Sequence, residues 1–581
     1  MRLGVDTGGT FTDAVADDGR VAKVLSTRED PARAVSAAVS ELDRDPDVLA
    51  HGTTVATNAL LERRGARVAL VATRGFGDVI EIARQVRPSL YDPFADRPAP
   101  LVPREWRFEV GGRLDADGTE LEAWDGACPA IPDAVEAVAV VLLHSDRNSD
   151  PEQAVAAALR ATGLDVTTSS EVSPEFREYE RMVTTVVNAY LRPACGPYLE
   201  RIAGVAEEVL VMTSAGGLVG VGDAARVPAS LLLSGPAGGV RAGAAVAAAC
   251  GYPDAVTFDM GGTSTDVCLV RGGVPEPAPA LTVGGFPIRL PALDIHTIGA
   301  GGGSIAWLDP GGALVVGPES AGADPGPACY GRGGTAATVT DADLVLGRID
   351  DRAAFPGLGR LEVAAARDAL AHAGVHAAGV VAVVDAAMER AVRAVSVERG
   401  VDPRGLALVA FGGAGPLHAC AIADALGMPA VIIPPRAGVA SAVGLLCSPR
   451  RQEVVQSAPA DPADVAARAV ARVGVGADVE IAYDCRYVGQ SHELTVAEPG
   501  DFPAEHERRN GHARPGAPVE VVAVRARAQM AAPLAVTDLP PVTRTRVRGP
   551  AVVAEPDCTV WIPEGWVAVP GALGAWVVKR T

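Results

Sequence analysis

Lysine is almost missing from this chain of 581 residues, and its scarcity excludes one common way of holding a nucleotide. The only two lysines are Lys23 and Lys579. The P-loop signature requires Gly-Lys followed by Ser or Thr, and no such tripeptide occurs here. Any bound phosphates must therefore be held by backbone N–H groups, hydroxyl groups, arginine and a metal ion. The heavy use of Ala, Gly, Val and Arg is typical of a genome-wide compositional bias and carries no functional weight.

Cysteine pairs, a signal segment and long apolar runs are missing as well. The nine cysteines are scattered and include no zinc-type or redox pair. No apolar run approaches the roughly 18 residues of a membrane helix, and the chain starts directly with a predicted strand. We therefore expect a reduced, soluble, cytoplasmic protein. The formal net charge of −20 argues against a nucleic-acid partner.

The chain does contain an eight-residue pattern that occurs twice. It reads Asp-Thr-Gly-Gly-Thr-Phe-Thr-Asp at residues 6–13 and Asp-Met-Gly-Gly-Thr-Ser-Thr-Asp at residues 259–266. Each copy lies between two short apolar stretches, which predicts a strand, a glycine turn and a second strand. An ordinary hairpin would explain one copy equally well, but two near-identical copies favour a shared function.

The glycine turns are suited to binding phosphate. Glycines leave no side chain over the turn, so successive backbone N–H groups can point at one anion. Hydrogen bonds to a charged group contribute roughly 1.5–3 kcal/mol each. The residues predicted to cradle phosphates are Gly8, Gly9, Thr10, Thr12, Gly261, Gly262 and Thr263.

The aspartate that leads each copy predicts a cation. Asp6 and Asp259 would repel a bound phosphate unless a positive charge lay between them. Mg2+ uses one or two carboxylates together with phosphate oxygens. We therefore predict that Asp6 and Asp259 bind Mg2+ or a water molecule.

Strands alternating with helices along most of the chain predict an α/β protein with mixed or parallel sheets. The repeated hairpin suggests two similar α/β halves that face one cleft. Residues 1–170 are predicted to form the first half, residues 171–455 the second half with the cleft, and residues 456–581 a small β-rich C-terminal domain. A long helical pattern that starts around Ser173 is predicted to stop near Pro193, because proline cannot continue a helix.

Two further glycine loops are weaker candidates for nucleotide contacts. Gly301 and Gly302 belong to one, and Gly412, Gly413 and Gly415 belong to the other, which lies between a predicted strand and a predicted helix. That arrangement would place a helix N-terminus against an anion or a ribose. A tight turn without a ligand explains either loop equally well.

Two histidines and two arginines complete the candidates. His51 could present an imidazole, although a lone histidine is more often structural. His296 precedes the first glycine loop and could act as an acid, a base or a metal ligand. Arg84 and Arg87 could clamp a carboxylate or phosphate, with a solvated surface as the alternative.

Taken together, these motifs resemble the hydantoinase/oxoprolinase family, and specifically its ATP-binding subunit of the hydantoinase A type, which includes N-methylhydantoinase A and acetone carboxylase beta-like proteins. The resemblance covers nearly the whole chain and is specific because the motifs occur together in this order. They lie at residues 6–13, 51–62, 84–88, 173–181, 258–266, 294–307, 322–331, 411–418 and 489–494.

The resemblance implies an actin/hexokinase-like fold, in which ATP lies between two ribonuclease H-like halves. The turns at Asp6 and Asp259 would be the two phosphate loops, and Gly412, Gly413 and Gly415 would belong to the adenosine loop. Relatives open cyclic amides such as 5-oxoproline or hydantoins at the expense of ATP, while others carboxylate ketones. Most work with a second subunit. We therefore expect ATP and Mg2+ as cofactors, a hydantoinase B-type partner subunit and an oligomer.

The corresponding mechanism activates an unreactive amide. Phosphorylating the carbonyl oxygen makes it a good leaving group, and the protein contributes positioning and charge neutralisation. The catalytic candidates are Asp6, Asp259, His51 and His296, and the candidate substrate contacts are Arg84 and Arg87. Three alternatives remain: a ketone carboxylase subunit, a small-molecule kinase of the same fold, and a binding module in which ATP drives domain closure.

Overall fold

The computed structural model describes residues 1–27, 29–42, 45–355 and 358–581. Its centre consists of two large mixed sheets, and each contains one copy of the repeated hairpin. The hairpin strands are short and rich in Val, Ala and Leu, and most of their residues are buried. Such strands are typical of sheets covered on both faces.

The first-half sheet has six strands. Arg2–Thr7 and Phe11–Ala16 form the hairpin, and Val48–Thr53 runs parallel to Arg2–Thr7. From one edge to the other, the order is Val21–Leu25, Phe11–Ala16, Arg2–Thr7, Val48–Thr53, Glu208–Met212 and Leu218–Gly220.

The second-half sheet has nine strands and repeats this order at its start. Ala255–Met260 and Thr265–Arg271 form the hairpin, and Ala407–Phe411 runs parallel to Ala255–Met260. The order is Val274–Pro275, Thr265–Arg271, Ala255–Met260, Ala407–Phe411, Val431–Ile433, Trp576–Arg580, Trp566–Pro570 and Val547–Arg548, and Ile295–Ile298 also pairs with Thr265–Arg271.

Two four-stranded sheets and several two-stranded ribbons surround this centre. The side sheet is Asp165–Thr168, Ala137–Val141, Val68–Thr73 and Arg107–Val110, and the C-terminal sheet is Arg451–Ser457, Val519–Gln529, Asp478–Tyr487 and Leu494–Val496. The ribbons pair Arg113–Leu114 with Glu120–Glu122, Pro277–Ala278 with Ala292–Leu293, Leu281–Val283 with Phe286–Ile288, Ser304–Leu308 with Leu314–Ser320, Ala354–Phe355 with Gly359–Arg360, and Ala551–Ala554 with Thr559–Ile562.

Helices cover the sheets and connect the halves. Those in the described ranges are Pro31–Leu42, Val55–Leu61, Val79–Ile82, Asp150–Arg160, Ser169–Val172, Glu178–Ile202, Val221–Arg226, Ser234–Ala249, Val339–Val345, Val363–Ala373, Ala377–Val395, Gly415–Leu426, Ala440–Leu446, Pro462–Val473 and Phe502–Asn510.

Two of these helices cross between the halves. The first crossing helix, Ser234–Ala249, packs mainly on the second-half sheet, and the second crossing helix, Ala440–Leu446, packs on the first-half sheet. They meet at Gly238 and Gly444, where a methyl group on Gly444 would overlap the backbone of Gly238. Glycine at this crossing lets the two helix backbones touch.

Three differences from the sequence-based expectation concern this architecture. The helix that was predicted to stop near Pro193 runs from Glu178 to Ile202 and contains both Pro193 and Pro197. Residues beyond the first proline, including Tyr198 and Ile202, are buried, so tertiary packing compensates for the lost backbone hydrogen bonds.

The other two differences concern which parts of the sequence contribute strands to each sheet. Glu208–Met212 and Leu218–Gly220 complete the first-half sheet, although they follow residue 170. Segment 456–581, expected as one β-rich unit, is divided between the C-terminal sheet and the second-half sheet. Trp576–Arg580 pairs with Val431–Ile433, which would otherwise present an open strand edge.

Within the described ranges, no individual helix combines the length and the apolar character needed to cross a bilayer. A bent pair, Val363–Ala373 with Ala377–Arg399, meets those criteria only when its two arms, bent by 80°, are counted together.

Candidate functional site

The two repeated turns have the same local geometry. The backbone N–H of Gly8 donates to the carbonyl of Phe11 at 3.0 Å, and the N–H of Gly261 donates to the carbonyl of Ser264 at 3.0 Å. Each bond closes a tight glycine turn between two strands. The sequence repeat is therefore also a structural repeat.

The tips of the two turns face each other and are nearly in contact. A methyl group placed on Gly262 would lie 3.1 Å from Oγ1 of Thr10, and one placed on Gly9 would lie 3.9 Å from Oγ1 of Thr263. The structure thus brings together the glycines and threonines that were predicted to cradle phosphates, although they are separated by some 250 residues of sequence.

Thr12 lies behind its turn and not at the rim. Its buried hydroxyl is 3.0 Å from Oγ of Ser26, which in turn donates to the carbonyl of Gly8 at 2.8 Å. In the second copy, Thr265 is also buried, and its hydroxyl donates to the carbonyl of Ala300 at 2.6 Å. This threonine position therefore supports the turn from within the sheet.

Four carboxyl groups lie at the bases of the turns. Asp6 is directly opposite Asp13 in the first hairpin, and Asp259 is directly opposite Asp266 in the second. Burial and the neighbouring Asp13 raise the pKa of Asp6 to about 7. Burial and the neighbouring Asp266 raise the pKa of Asp259 well above its usual range, and burial raises the pKa of Asp266 to about 6.

One ammonium group partly balances this negative charge. Nζ of Lys23 donates to Asp13 at 2.7 Å and to the carbonyl of Gly438 at 3.3 Å. Burial still raises the pKa of Asp13, against the effect of Lys23. One of the chain's two lysines thus lies at the candidate site, on the strand that pairs with the second strand of the hairpin.

These residues fit a divalent cation bound together with phosphate. Oδ1 of Asp6 is buried and makes no hydrogen bond to any described residue. Four carboxyl groups against one lysine leave a local excess of negative charge, and carboxylate oxygens are ligands that Mg2+ prefers. Asp6 and Asp259 are therefore suited to hold it.

A different group of side chains is close enough to share an ion directly. Within the described part of the chain, Glu555, Asp557 and Cys558 are the one such trio of His, Cys, Asp or Glu. Glu555 is already paired with Arg544, and Asp557 accepts the backbone N–H of Gly438 at 2.7 Å. These contacts account for the trio without a metal.

Glycines make room for the two leading carboxylates. A methyl group on Gly52 would lie 2.6 Å from Oδ1 of Asp6, and one on Gly235 would lie 3.3 Å from the same atom. In the second half, Gly412 has a φ of +80°, and a methyl group there would overlap the carboxylate of Asp259. Any larger residue at Gly52 or Gly412 would displace a carboxylate.

The first glycine loop lies directly against the second turn. The N–H of Gly302 donates to the carbonyl of Gly261 at 3.0 Å, and a methyl group on Gly301 would lie 2.7 Å from the carbonyl carbon of Gly262. Thr340 fixes the loop from the other side, since its hydroxyl donates to the carbonyl of Gly302 at 2.8 Å.

The second glycine loop lies beside the same turn. Ala414 donates its N–H to the carbonyl of Met260 at 3.0 Å, and Gly415 begins the helix Gly415–Leu426. Open space surrounds the position where Gly413 would carry a side chain. Both glycine loops that were weak candidates in the sequence thus join the second turn.

A buried histidine connects the elements that carry these loops. His418, on helix Gly415–Leu426, lies between Asp385, 2.6 Å from Nδ1, and Asp343, 3.2 Å from Nε2. Asp343 is on the helix that also carries Thr340. Burial opposes the charged form, but the two carboxylates outweigh it and raise the pKa of His418 to about 10.

His51 is close to the first turn but is fully engaged. Its Nδ1 is 3.0 Å from the carbonyl of Val5, and its Nε2 is 2.5 Å from the hydroxyl of Tyr198. The carbonyl requires a proton on Nδ1, so Nε2 accepts from Tyr198. Burial lowers the pKa of His51 to about 4. The geometry makes His51 a neutral residue that orients Tyr198 near Asp6.

His296 lies on the strand that pairs with the second hairpin, directly opposite Val267. The next residue, Thr297, is opposite Asp266 and donates its hydroxyl to that carboxylate at 2.5 Å. Because side chains alternate along a strand, His296 faces away from the carboxyl groups. In this segment Thr297, and not His296, contacts a carboxylate of the site.

Arg84 and Arg87 are exposed and lie away from the turns. Arg84 forms an ion pair with Glu180 near the start of helix Glu178–Ile202, whereas Tyr198 is 18 residues further along that helix. At about 1.5 Å per residue, this separation is about 27 Å. A substrate held by Arg84 would therefore be remote from the Asp6 turn.

Several residues at the site were not predicted from the sequence. They are Lys23, Gly52, Tyr198, Gly235, Thr297, His418 and Ser441, whose hydroxyl bonds to Asp259. Lys23 had an available signal, because the register of a third strand would place it opposite Asp13. Tyr198 and Ser441 come from distant helices and gave no local signal.

Comparisons with known proteins agree with this arrangement. The hydantoinase/oxoprolinase family profile matches residues 181–454, and the profile of its N-terminal region matches residues 2–163. The alpha subunit of caprolactamase from Pseudomonas jessenii is 35% identical, with 97% of each chain covered.

Two further relatives are named for different activities. 5-Oxoprolinase 1 of Arabidopsis thaliana is 34% identical over 77% of this chain and 41% of its own length. The gamma subunit of acetophenone carboxylase from Aromatoleum aromaticum is 32% identical over 76% of this chain and 67% of its own length.

Solved structures share the whole architecture. The crystal structure of ATP-dependent caprolactamase from Pseudomonas jessenii superposes with a TM-score of 0.82 at 30% identity, and both chains are covered completely. Nucleotide-free acetone carboxylase, at 22% identity, has the same fold with a TM-score of 0.79 over 100% of this chain and 99% of its own. The two family profiles and these full-length matches, together with the two facing turns, show that the chain belongs to the hydantoinase/oxoprolinase family.

Proposed function

We propose that this protein is the ATP-binding subunit of an enzyme that hydrolyses a cyclic amide, such as a lactam, hydantoin or 5-oxoproline. The observation that carries the proposal is the pair of facing glycine turns, each with a leading carboxylate at its base. Backbone N–H groups on two facing turns are suited to a triphosphate.

The topology supports an actin/hexokinase-like arrangement of two ribonuclease H-like halves. In both large sheets a third antiparallel strand follows the hairpin on one side, and two strands parallel to the first hairpin strand follow on the other. We assign Gly8, Gly9, Thr10, Gly261, Gly262 and Thr263 to the phosphates, Gly301 and Gly302 to the support of the second turn, and Gly412, Gly413 and Gly415 to the adenosine.

The leading carboxylates would hold the metal ion that neutralises the phosphates and positions them. Asp6 and Asp259 would hold Mg2+, which supplies positive charge for the phosphates when bound. Without it, four neighbouring carboxyl groups would repel the nucleotide. Thr12 holds the first turn, and Tyr198, oriented by His51, lies beside Asp6. Catalytic roles for His51 and His296 and substrate contacts for Arg84 and Arg87 remain predictions.

The reaction couples ATP to the opening of a stable ring. Transfer of the γ-phosphoryl group to the amide oxygen gives ADP and an activated carbon. Water then adds to that carbon, the ring C–N bond breaks, and the nitrogen takes up a proton. Hydrolysis of the remaining acyl phosphate by a second water releases phosphate and the open-chain amino acid. Catalysis of the transfer rests on positioning and charge neutralisation.

A second subunit of the hydantoinase B type is part of the proposal. The caprolactamase and acetophenone carboxylase relatives are themselves subunits. The exposed segment that carries Arg84 and Arg87 is remote from the turns, and a substrate held there would need further groups. We therefore assign the completion of ring hydrolysis to the assembled complex.

The test is phosphate release by the complex of this chain with its co-purified second subunit. ATP and Mg2+ are held at saturation, and caprolactam, hydantoin and 5-oxoproline are compared. We expect release to depend on one of the amides and to fall at least 100-fold in Asp6→Asn and Asp259→Asn. Normal turnover in both variants would refute the assignment of the turns.

Ketone carboxylation is the second candidate, because a carboxylase subunit covers three quarters of this chain at 32% identity. Acetone and acetophenone with bicarbonate are therefore added to the same panel. Release that requires bicarbonate and a ketone would favour this function. A stable phosphorylated product would instead indicate a small-molecule kinase.

A further inference from the structure

A separate cavity lies where the first-half sheet meets the C-terminal sheet. Its volume is about 110 Å³, and Arg226, Arg451 and Arg472 contribute to its walls. Arg451 opens the first strand of the C-terminal sheet, and Arg472 is on helix Pro462–Val473. The cavity is thus built from residues distant in sequence.

Arg451, on the wall of this cavity, has no carboxylate partner in the part of the chain that the structure describes. Within the described residues, Arg451 forms no ion pair, and its buried Nε makes no hydrogen bond. Arg241, on the first crossing helix, lies behind it and likewise has no ion pair in the described part of the chain. Burial, followed by the nearby charges of Arg527 and Arg241, lowers the pKa of Arg451 to about 10. A partly buried cation without a partner carries a desolvation cost that a bound anion would offset.

The acidic groups on the walls are already neutralised by other partners. Asp223 accepts from Arg226 at 2.6 Å and from Gln452 at 2.9 Å. Glu453 pairs with two arginines of the C-terminal sheet at 3.1 and 3.2 Å, and Glu171 pairs with Arg160 at 2.9 Å. Arg226 is neutralised in the same way, so Arg451 and Arg472 are the wall arginines that have no ion pair within the described residues.

The glycine turn at 216–217 gives Arg451 its position. A methyl group on Gly217 would lie 2.5 Å from Cβ of Arg451, and one on Gly216, whose φ is +75°, would lie 3.3 Å from Cδ of Arg241. This turn follows Glu208–Met212, two strands from the strand that carries Asp6. With strands about 4.8 Å apart, Val211 on that strand lies about 10 Å from Val5, the residue before Asp6.

We propose that this cavity is a binding site for a small oxyanion, either a carboxylate-bearing molecule or a phosphate. The guanidinium group of Arg451 offers paired donors that match both. The ligand would contact the C-terminal sheet directly and screen the charge on the first crossing helix. It would therefore bind where both halves and the C-terminal sheet meet. The site is independent of the chemistry assigned to the two glycine turns.

Calorimetric titration of the full chain tests the proposal. Inorganic phosphate and glutarate are the two probes, each with and without a non-hydrolysable ATP analogue and Mg2+, so that binding at the turns is separated. We expect saturable binding of at least one probe, at least tenfold weaker in Arg451→Gln and in Arg472→Gln. Competition between the probes identifies a shared site, and their relative Kd identifies the preferred chemistry.

Two further variants keep the result interpretable. Arg404→Gln removes an arginine whose side chain is 76% exposed and should leave both Kd values unchanged. Arg451→Lys keeps the charge but loses the paired donors, so its Kd should lie between those of the wild type and Arg451→Gln. Melting temperatures verify that each variant is folded. No saturable binding to the wild type, or equal Kd values in Arg451→Gln and Arg472→Gln, would overturn the proposal.

Discussion

A single methyl group at Gly52 should test whether Asp6 must occupy its observed position. Gly52 lies in a parallel strand directly beside Asp6, and its backbone is not in the left-handed region. In Gly52→Ala the new Cβ would lie 2.6 Å from Oδ1 of Asp6, whereas ordinary contacts begin at 3.4 Å. The carboxylate must therefore retreat by the difference, about 0.8 Å.

The expected consequence is a large loss of turnover with a smaller loss of stability. A misplacement of about 1 Å can reduce a rate by about 100-fold, which corresponds to about 2.7 kcal/mol. Overpacking a core position costs typically about 1–3 kcal/mol in the free energy of unfolding. The same Cβ would lie 3.0 Å from Cδ1 of Leu445, so the loss of stability reports on both neighbours, whereas the loss of turnover reports on the position of Asp6.

The assay is steady-state phosphate release by the assembled complex, with melting temperature measured in parallel. Gly196→Ala is the matched control, because the same methyl group on helix Glu178–Ile202 would meet no atom of the described residues within 4 Å. It should retain full turnover. A folded Gly52→Ala protein with wild-type turnover would refute the requirement for this position of Asp6.

Three other substitutions probe the same site. Burial and a neighbouring carboxyl raise the pKa of Asp6 from 3.8 to about 7. The native state therefore binds this proton more tightly than the unfolded state does. The free energy of unfolding without nucleotide should consequently fall as the pH rises from about 4 to about 7. Asp6→Asn should therefore raise the melting temperature more at pH 8 than at pH 5. The corresponding gain in the free energy of unfolding is at most about 4 kcal/mol. An equal rise in melting temperature at the two pH values would contradict this. Gly412→Ala should lower the free energy of unfolding by about 1–2 kcal/mol, because the φ at this position is positive. It should also displace Asp259 and so lower kcat about 100-fold. The control is Gly427→Ala, at a helix end with a φ of +67°, which should lower only the melting temperature. His418→Ala would remove the cation between the buried Asp343, which keeps only Arg348 at 3.6 Å, and the partly buried Asp385. We therefore expect a loss of about 3 kcal/mol in a denaturant titration and a raised KM for ATP. An unchanged midpoint would show that the histidine does not hold the glycine loops.

The repeated hairpin could be predicted because its information is local. Two glycines between short apolar strands specify a turn, and the leading aspartate has no role in a plain hairpin. Neither fact requires knowledge of the rest of the fold. The facing arrangement of Thr10 and Gly262 follows only from the pairing of the two halves, which the repeat suggested and the structure provides.

The contacts that surround the carboxylates could not be predicted in the same way. Tyr198 reaches the first turn because its helix continues through Pro193, and local rules end that helix at the proline. Thr297 was missed because His296 is the more reactive residue, although strand alternation turns the threonine toward Asp266. In each case the decisive information is which face or which helix packs against the hairpin, and that is set by the tertiary core.

The crossing helices give the site a property that neither half has alone. The first crossing helix passes Asp6 at Gly235 but packs mainly on the second-half sheet. The second crossing helix supplies Ser441 to Asp259 but packs on the first-half sheet. Each leading carboxylate therefore touches a helix that is anchored to the opposite half. Because the two helices touch at Gly238 and Gly444, a rotation of one half against the other must move the surroundings of both carboxylates together. A change in the separation of the two turns around a triphosphate would then move both carboxylates in one step, which is the behaviour expected of hinge-type domain motion.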